Sequence, residues 1–149
     1  MTTSISCHHC LHPSFTRRLL RALWKGQSIN LIAAPGQGRQ RVLDDVMRHA
    51  PKDVILLYAD LLAYKSNFSG FFRTLKRQMR YANCSHHGEE PENFGAFLTC
   101  VRSQGRPVWL LLHRFDAILE HSGVDPAYNK QFFTDLNTFN ESSKMALLC

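Results

Sequence analysis

Apolar residues recur along this chain with two different periods, and the two alternate. Residues 15–24 carry Phe15, Leu19, Leu20, Leu23 and Trp24 at helical spacing, with Arg17, Arg18 and Arg21 on the other side; Lys25 and Gly26 end this helix. Residues 28–34 form a short apolar run that predicts a buried strand, stopped by the loop signal of Pro35, Gly36, Gln37 and Gly38. Helical spacing resumes over 39–49 through Val42, Leu43 and Val46, until Pro51 closes it. Residues 54–58 (VILLY) predict a second buried strand.

Residues 68–81 predict an amphipathic helix with Phe68, Phe71, Phe72, Leu75 and Met79 on one stripe. A polar loop follows over 83–92, then a helix over 94–103 that Gly105 and Pro107 terminate. Residues 108–113 predict the third strand, 128–140 a helix carrying Phe132, Phe133, Leu136 and Phe139, and 145–149 a fourth strand. Strands alternating with helices imply an α/β fold, a mostly parallel sheet covered on both faces and joined by right-handed crossovers. Ligands of such sheets sit at the carboxyl ends of strands, which is where the glycine-bearing loop falls.

Composition narrows the class. The 149 residues, 44% of them hydrophobic, suffice for the core of one domain, read as a flexible segment over 1–14 and a folded unit over 15–149. No apolar run approaches the roughly 20 residues of a membrane span, and residues 1–16 lack the pattern of a secretory signal. Five scattered cysteines fit free thiols in a reducing compartment, so a cytoplasmic protein is expected. The net charge of +6 favours anionic partners without choosing among them.

Three features invite chemistry. In the pattern G-x-x-x-x-G-K-[ST], glycines let backbone N–H groups cradle phosphates, while the lysine and hydroxyl serve the terminal phosphates and magnesium. Here the second glycine is Gly38, the first falls on Ala33, the lysine on Arg39 and the hydroxyl on Gln40. Arg39 keeps the charge but is a forked, bulkier group, and the Gln40 amide is a poor magnesium ligand. The nucleotide-binding candidates are Pro35, Gly36, Gln37, Gly38, Arg39, Gln40 and Arg41.

The second feature is a cationic helix face bearing Arg73, Lys76, Arg77 and Arg80, read either as a docking face for nucleic-acid phosphates or an acidic protein, or as a solvated surface. The third is Cys7, His8, His9, Cys10 and His12, with Cys84, His86 and His87 as distant ligands for zinc. A structural site needs four organised ligands, and a frayed terminus is the competing reading.

Taken in order, residues 15–23, 30–43, 57–61, 107–119 (PVWLLLHRFDAIL), 132–137 (FFTDLN) and 144–149 resemble bacterial AAA+-like ATPases of the STAND class, signal-transduction ATPases with numerous domains. The resemblance implies a three-layer P-loop fold whose fifth strand, beside the first, and helical lid are missing here. It also implies that the first strand is an apolar edge, so that the chain is either a fragment or is covered there by another chain.

By the same resemblance, the magnesium-holding acid and the water-orienting glutamate fall on His113 and Arg114, and the arginine that often ends the Phe-Phe segment falls on Asn137. Asp116 matches a third, residual acid. Loss of metal ligands together with the water-positioning group should abolish turnover, and a histidine beside an arginine should repel magnesium. The expectation is a catalytically defective domain acting as a regulatory or assembly module, with weak ATP or ADP binding and no magnesium. Two alternatives stand beside it: a slow ATPase completed by a partner, and a nucleic-acid-associated AAA+ adaptor.

Overall fold

A computed structural model of the chain describes residues 9–82, 89–120, 122–141 and 145–149. In order, its elements are α1 (Pro13–Trp24), α2 (Arg39–Arg48), β1 (Ile55–Asp60), α3 (Phe68–Tyr81), α4 (Phe94–Arg102), β2 (Val108–His113), α5 (Lys130–Asn140) and β3 (Met145–Leu148). A single 3-10 turn, Phe115–Ile118, follows β2. Helix α1 starts two residues before the predicted Phe15, because Pro13 at the first helical position sets its own φ and has no N–H to satisfy.

The three strands form an open, wholly parallel sheet in the order β1, β2, β3, with Asp60 opposite His113 at the carboxyl end of the first pair. Every residue of the central β2 is buried, which explains its unbroken VWLLLH run.

The run expected as a buried first strand behaves differently. Residues 28–34 contribute one isolated bridge, Ile29 to Leu148, beside β3. The Ile29 and Leu31 N–H groups donate to the Leu147 and Cys149 carbonyls at 2.7 and 2.6 Å, while Ile32 is 89% exposed. The segment has a neighbour on one side only among the described residues, so just its alternate positions find partners.

Side chains leave the sheet on two faces. Val108, Leu110 and Leu112 point into a core shared with α3, α4 and α5, whereas Trp109, Leu111, Ala146 and Leu148 meet α1 and α2. The chain thus passes from the 28–32 segment across to β1 by way of α2 on one face. It then steps back through β2 to β3 with α3, α4 and α5 on the other. In open parallel sheets, a reversal of strand order with a change of face marks the carboxyl ends, here beside the 28–32 segment, as the place where ligands are commonly held.

Candidate functional site

At that edge the candidate site comprises the loop after residue 34, the start of α2 and the carboxyl end of β2. The loop turns because Gly36 and Gly38 adopt φ of 82° and 78°, a region that L side chains rarely enter. Within it the Gln37 N–H donates to the Ala34 carbonyl, and the Gln37 side-chain oxygen accepts from the Ala34 N–H, both at 3.2 Å. Gln37 therefore closes the turn on itself and uses donors that a phosphate cradle would aim outward. Nothing lies within 4 Å of the position a Gly36 side chain would take, so the turn is open to solvent there. Gly38 is the N-cap of α2 and no side chain caps that helix. Its first N–H groups and the positive end of its dipole are available to an anion.

Arg39 and Gln40 begin α2, and Gln40 Nε2 donates to Asp44 Oδ1 at 2.9 Å, one turn further on. Arg41 faces away from the turn: its Nε donates to Asp45 at 3.1 Å and its Nη2 to the His9 carbonyl at 3.0 Å. Of the two arginines among the nucleotide-binding candidates, Arg39 is the one whose charge acts on the His113 imidazole.

His113 ends β2 and is 8% exposed. Burial pushes its imidazole below the ordinary pKa, Arg39 adds to this, and the Asp44 and Asp116 carboxylates pull the other way. The ring is neutral at physiological pH, and its Nδ1 lies 3.5 Å from the Tyr58 hydroxyl. Arg114 takes a left-handed conformation at φ 53° and turns its guanidinium back onto Asp60, with Nε 2.8 Å from Oδ1 and Nη2 on Oδ2. The pair is a two-point fork.

At the two positions matched to the metal-holding acid and the water-orienting glutamate, burial thus disfavours the charged form of His113, and the Arg114 guanidinium is paired with Asp60. What the site lacks is a carboxylate at either position. Asp44 and Asp116 are the carboxylates that act on His113, and Asp44 was not singled out from the sequence. The four-residue spacing of Gln40 and Asp44 on one helix was the available signal for it. Asp116 lies on the 3-10 turn, exposed but close enough to act on His113. Asn137 sits on the exposed side of α5, outside this group of contacts.

Residues 9–12, part of the segment expected to be flexible, lie across the start of α2. The Leu11 N–H donates to Asp45 Oδ2 at 3.0 Å, and Cys10 is buried with its sulfur 3.9 Å from His49 Nδ1. A Leu11 methyl lies where a Gly38 side chain would begin, but that methyl is the end of a flexible side chain, so it is the positive φ that requires glycine at 38. Asp45 is fully buried. Burial alone would raise its pKa, but the Leu11 amide, the Arg41 hydrogen bond and the Arg41 and Arg48 charges outweigh this and hold it below the usual carboxylate range.

The cationic face of α3 is partly neutralised. Glu90 pairs with Lys76 at 3.3 Å and Arg80 at 2.6 Å, while Arg73 and Arg77 are exposed. The hydrogen bond and charge of Lys76, followed by Arg80, hold the Glu90 carboxyl below its ordinary value against some burial. Of the zinc candidates, Cys7, His8, Cys84, His86 and His87 lie outside the described residues. Among the described residues no three His, Cys, Asp or Glu side chains are grouped to hold a metal, and no helix is long and apolar enough to cross a membrane.

Comparison with known proteins finds no family model that matches the chain and no curated protein similar to it.

Proposed function

We propose that this chain is a P-loop-type domain of the STAND/AAA+ kind that does not hydrolyse ATP and serves as a regulatory or assembly module. What supports the reading is the Gly36–Gly38 turn leading into the uncapped start of α2, with the Arg39 charge acting on His113 at the carboxyl end of β2. Nucleotide phosphates favour such an edge, where an uncapped helix start and an arginine meet.

The same site argues against turnover. Phosphoryl transfer needs a metal bridging the phosphates and a group that positions water. Here Gln40 spends its amide on Asp44, Arg114 spends its guanidinium on Asp60, and the neutral His113 offers no negative charge. Binding of ATP or ADP is accordingly weak, independent of magnesium and centred on Gly36, Gly38 and Arg39. Assembly through the 28–32 segment fits its one-sided pairing and the exposure of Ile32. The partial pairing of Lys76 and Arg80 with Glu90 makes the nucleic-acid adaptor the weaker alternative.

Calorimetric titration with ATP, with and without magnesium, tests the reading. The expected result is one weak site with the same affinity in both, weakened further in Arg39→Ala, and no phosphate release above a blank. Magnesium-dependent tight binding, or an ATPase rate that Arg39→Ala removes, would overturn it. Release of phosphate only after addition of a partner protein would favour the partner-completed ATPase instead.

A further inference from the structure

The outer edge of β1 carries a second surface, at the end of the sheet away from the glycine turn. In a parallel pair, alternate residues of a strand direct both N–H and C=O to the same neighbour. The Ile55 N–H reaches the Pro107 carbonyl at 2.8 Å and the Leu61 N–H reaches that of His113 at 2.9 Å. Residues 55, 57, 59 and 61 therefore face β2, and 56 and 58 face outward.

The outward rung at Tyr58 is closed by Gln78 of α3. The Tyr58 N–H donates to Gln78 Oε1 and Gln78 Nε2 donates to the Tyr58 carbonyl, both at 2.8 Å. One side-chain amide thus stands in for an adjoining strand. At Leu56, one rung earlier, nothing among the described residues takes the outward N–H and C=O. A cavity of about 560 Å³ opens at that rung, lined by Lys52, Val54, Leu56, Gln78, Tyr81 and Arg106.

The lining fixes the sign of the partner. It holds two cations and no carboxylate. Arg106 also donates to the Asp53 carbonyl at 3.0 Å and the Ala82 carbonyl at 2.9 Å, so a cation covers the negative end of α3 that would otherwise repel an anion. Lysine and arginine at a strand edge discourage pairing with a second copy of the same edge, which brings the same charges. They attract a strand of opposite charge.

We propose that the β1 edge docks an extended acidic segment of a partner protein as an added strand. Its backbone completes the Leu56 rung, its carboxylates meet Lys52 and Arg106, and an aliphatic side chain rests on Val54 beside the Tyr81 ring. This is strand addition, in which main-chain bonds give affinity and flanking charges give selectivity.

The test uses the full chain and a fluorescein-labelled heptapeptide of alternating valine and glutamate, followed by anisotropy. Saturable binding is expected, weakened about tenfold by Lys52→Glu and by N-methylation of the peptide amides, and absent when lysine replaces glutamate. Lys130→Glu, an exposed charge change on α5, should leave the affinity unchanged. The proposal falls if the acidic peptide does not saturate, if N-methylation has no effect, or if Lys130→Glu weakens binding as much as Lys52→Glu. It falls equally if a single-stranded oligonucleotide binds more tightly than the peptide and loses that binding in Lys52→Glu.

Discussion

The two faces of the sheet are built by different means. Under α3, α4 and α5 the core is aromatic: Phe68, Phe71, Phe94, Tyr128 and Phe132 form a continuous set of ring contacts with centroids 4.9 to 6.3 Å apart. Each of these three helices also begins with an asparagine whose side chain accepts backbone N–H bonds: Asn67 from Gly70, Asn93 from Ala96, and Asn129 from Gln131 and Phe132. Under α1 and α2 the core is mostly aliphatic and neither helix start has a side-chain cap. Helix α1 starts with a proline, which lowers its need for a cap. Helix α2 has no such excuse. With Gly38 as its N-cap it forgoes only about a few tenths of a kcal/mol relative to a capping side chain, and it leaves its donors open at the one helix start that follows the glycine turn. The capped face closes its helix starts with its own side chains; the start of α2 is left open.

The largest effect should come from breaking the aromatic side. Phe71 is fully buried among the rings, so Phe71→Ala removes about 3–5 kcal/mol, read as a lower urea midpoint. The glycine turn lies across the sheet, so ATP binding measured well below that midpoint should survive. Loss of binding in parallel with stability would show that the two faces do not behave as separate parts.

A smaller effect sharpens the contrast between capped and open helices. Asn129→Ala leaves the Gln131 and Phe132 N–H groups without their acceptor and should cost about 1 kcal/mol in chemical denaturation. Phosphate or ATP should recover none of that loss, because the vacated α5 start lies outside the candidate site. A phosphate-dependent rescue of Asn129→Ala would mean that an uncapped helix start alone suffices to hold the anion. The glycine turn and Arg39 would then add nothing specific.

Most of the scaffold was legible from periodicity, since a strand buried on both faces reads as an unbroken apolar run and a covered helix as a stripe. β2 and α3 match their predicted spans residue for residue. The 28–34 run misled because an apolar run reports burial, and burial needs neighbours on both sides. With pairing on one side, Ile32 is left in solvent.

The turn was legible because positive φ demands glycine. The Asp60–Arg114 fork was not, because its partners lie 54 positions apart and meet only through the register that sets Asp60 beside His113. Nor was the seating of Leu11 on Gly38. That contact depends on Asp45, whose buried carboxylate fixes the Leu11 amide from 34 positions away.

The subtlest test of the open face is titration of His113. Its folded pKa lies below the ordinary 6.5, chiefly through burial, with Arg39 reinforcing and Asp44 and Asp116 opposing. Between the folded value and 6.5 the unfolded chain binds more protons than the native one, so stability rises with pH in that window and falls as pH drops below 6.5. Other histidines titrate nearby, and comparing wild type with His113→Gln cancels their contribution. The glutamine stays uncharged and keeps a polar group beside the Tyr58 hydroxyl. Urea denaturation on either side of pH 6.5 should therefore show a shallower loss in the variant. An anion bound beside Arg39 would favour the imidazolium, so ATP or phosphate should raise the His113 pKa, read from its ring resonances. Equal pH slopes in the two proteins would mean that the imidazole is already well solvated. A ring that titrated alike with and without phosphate would remove this group of residues from consideration as an anion site.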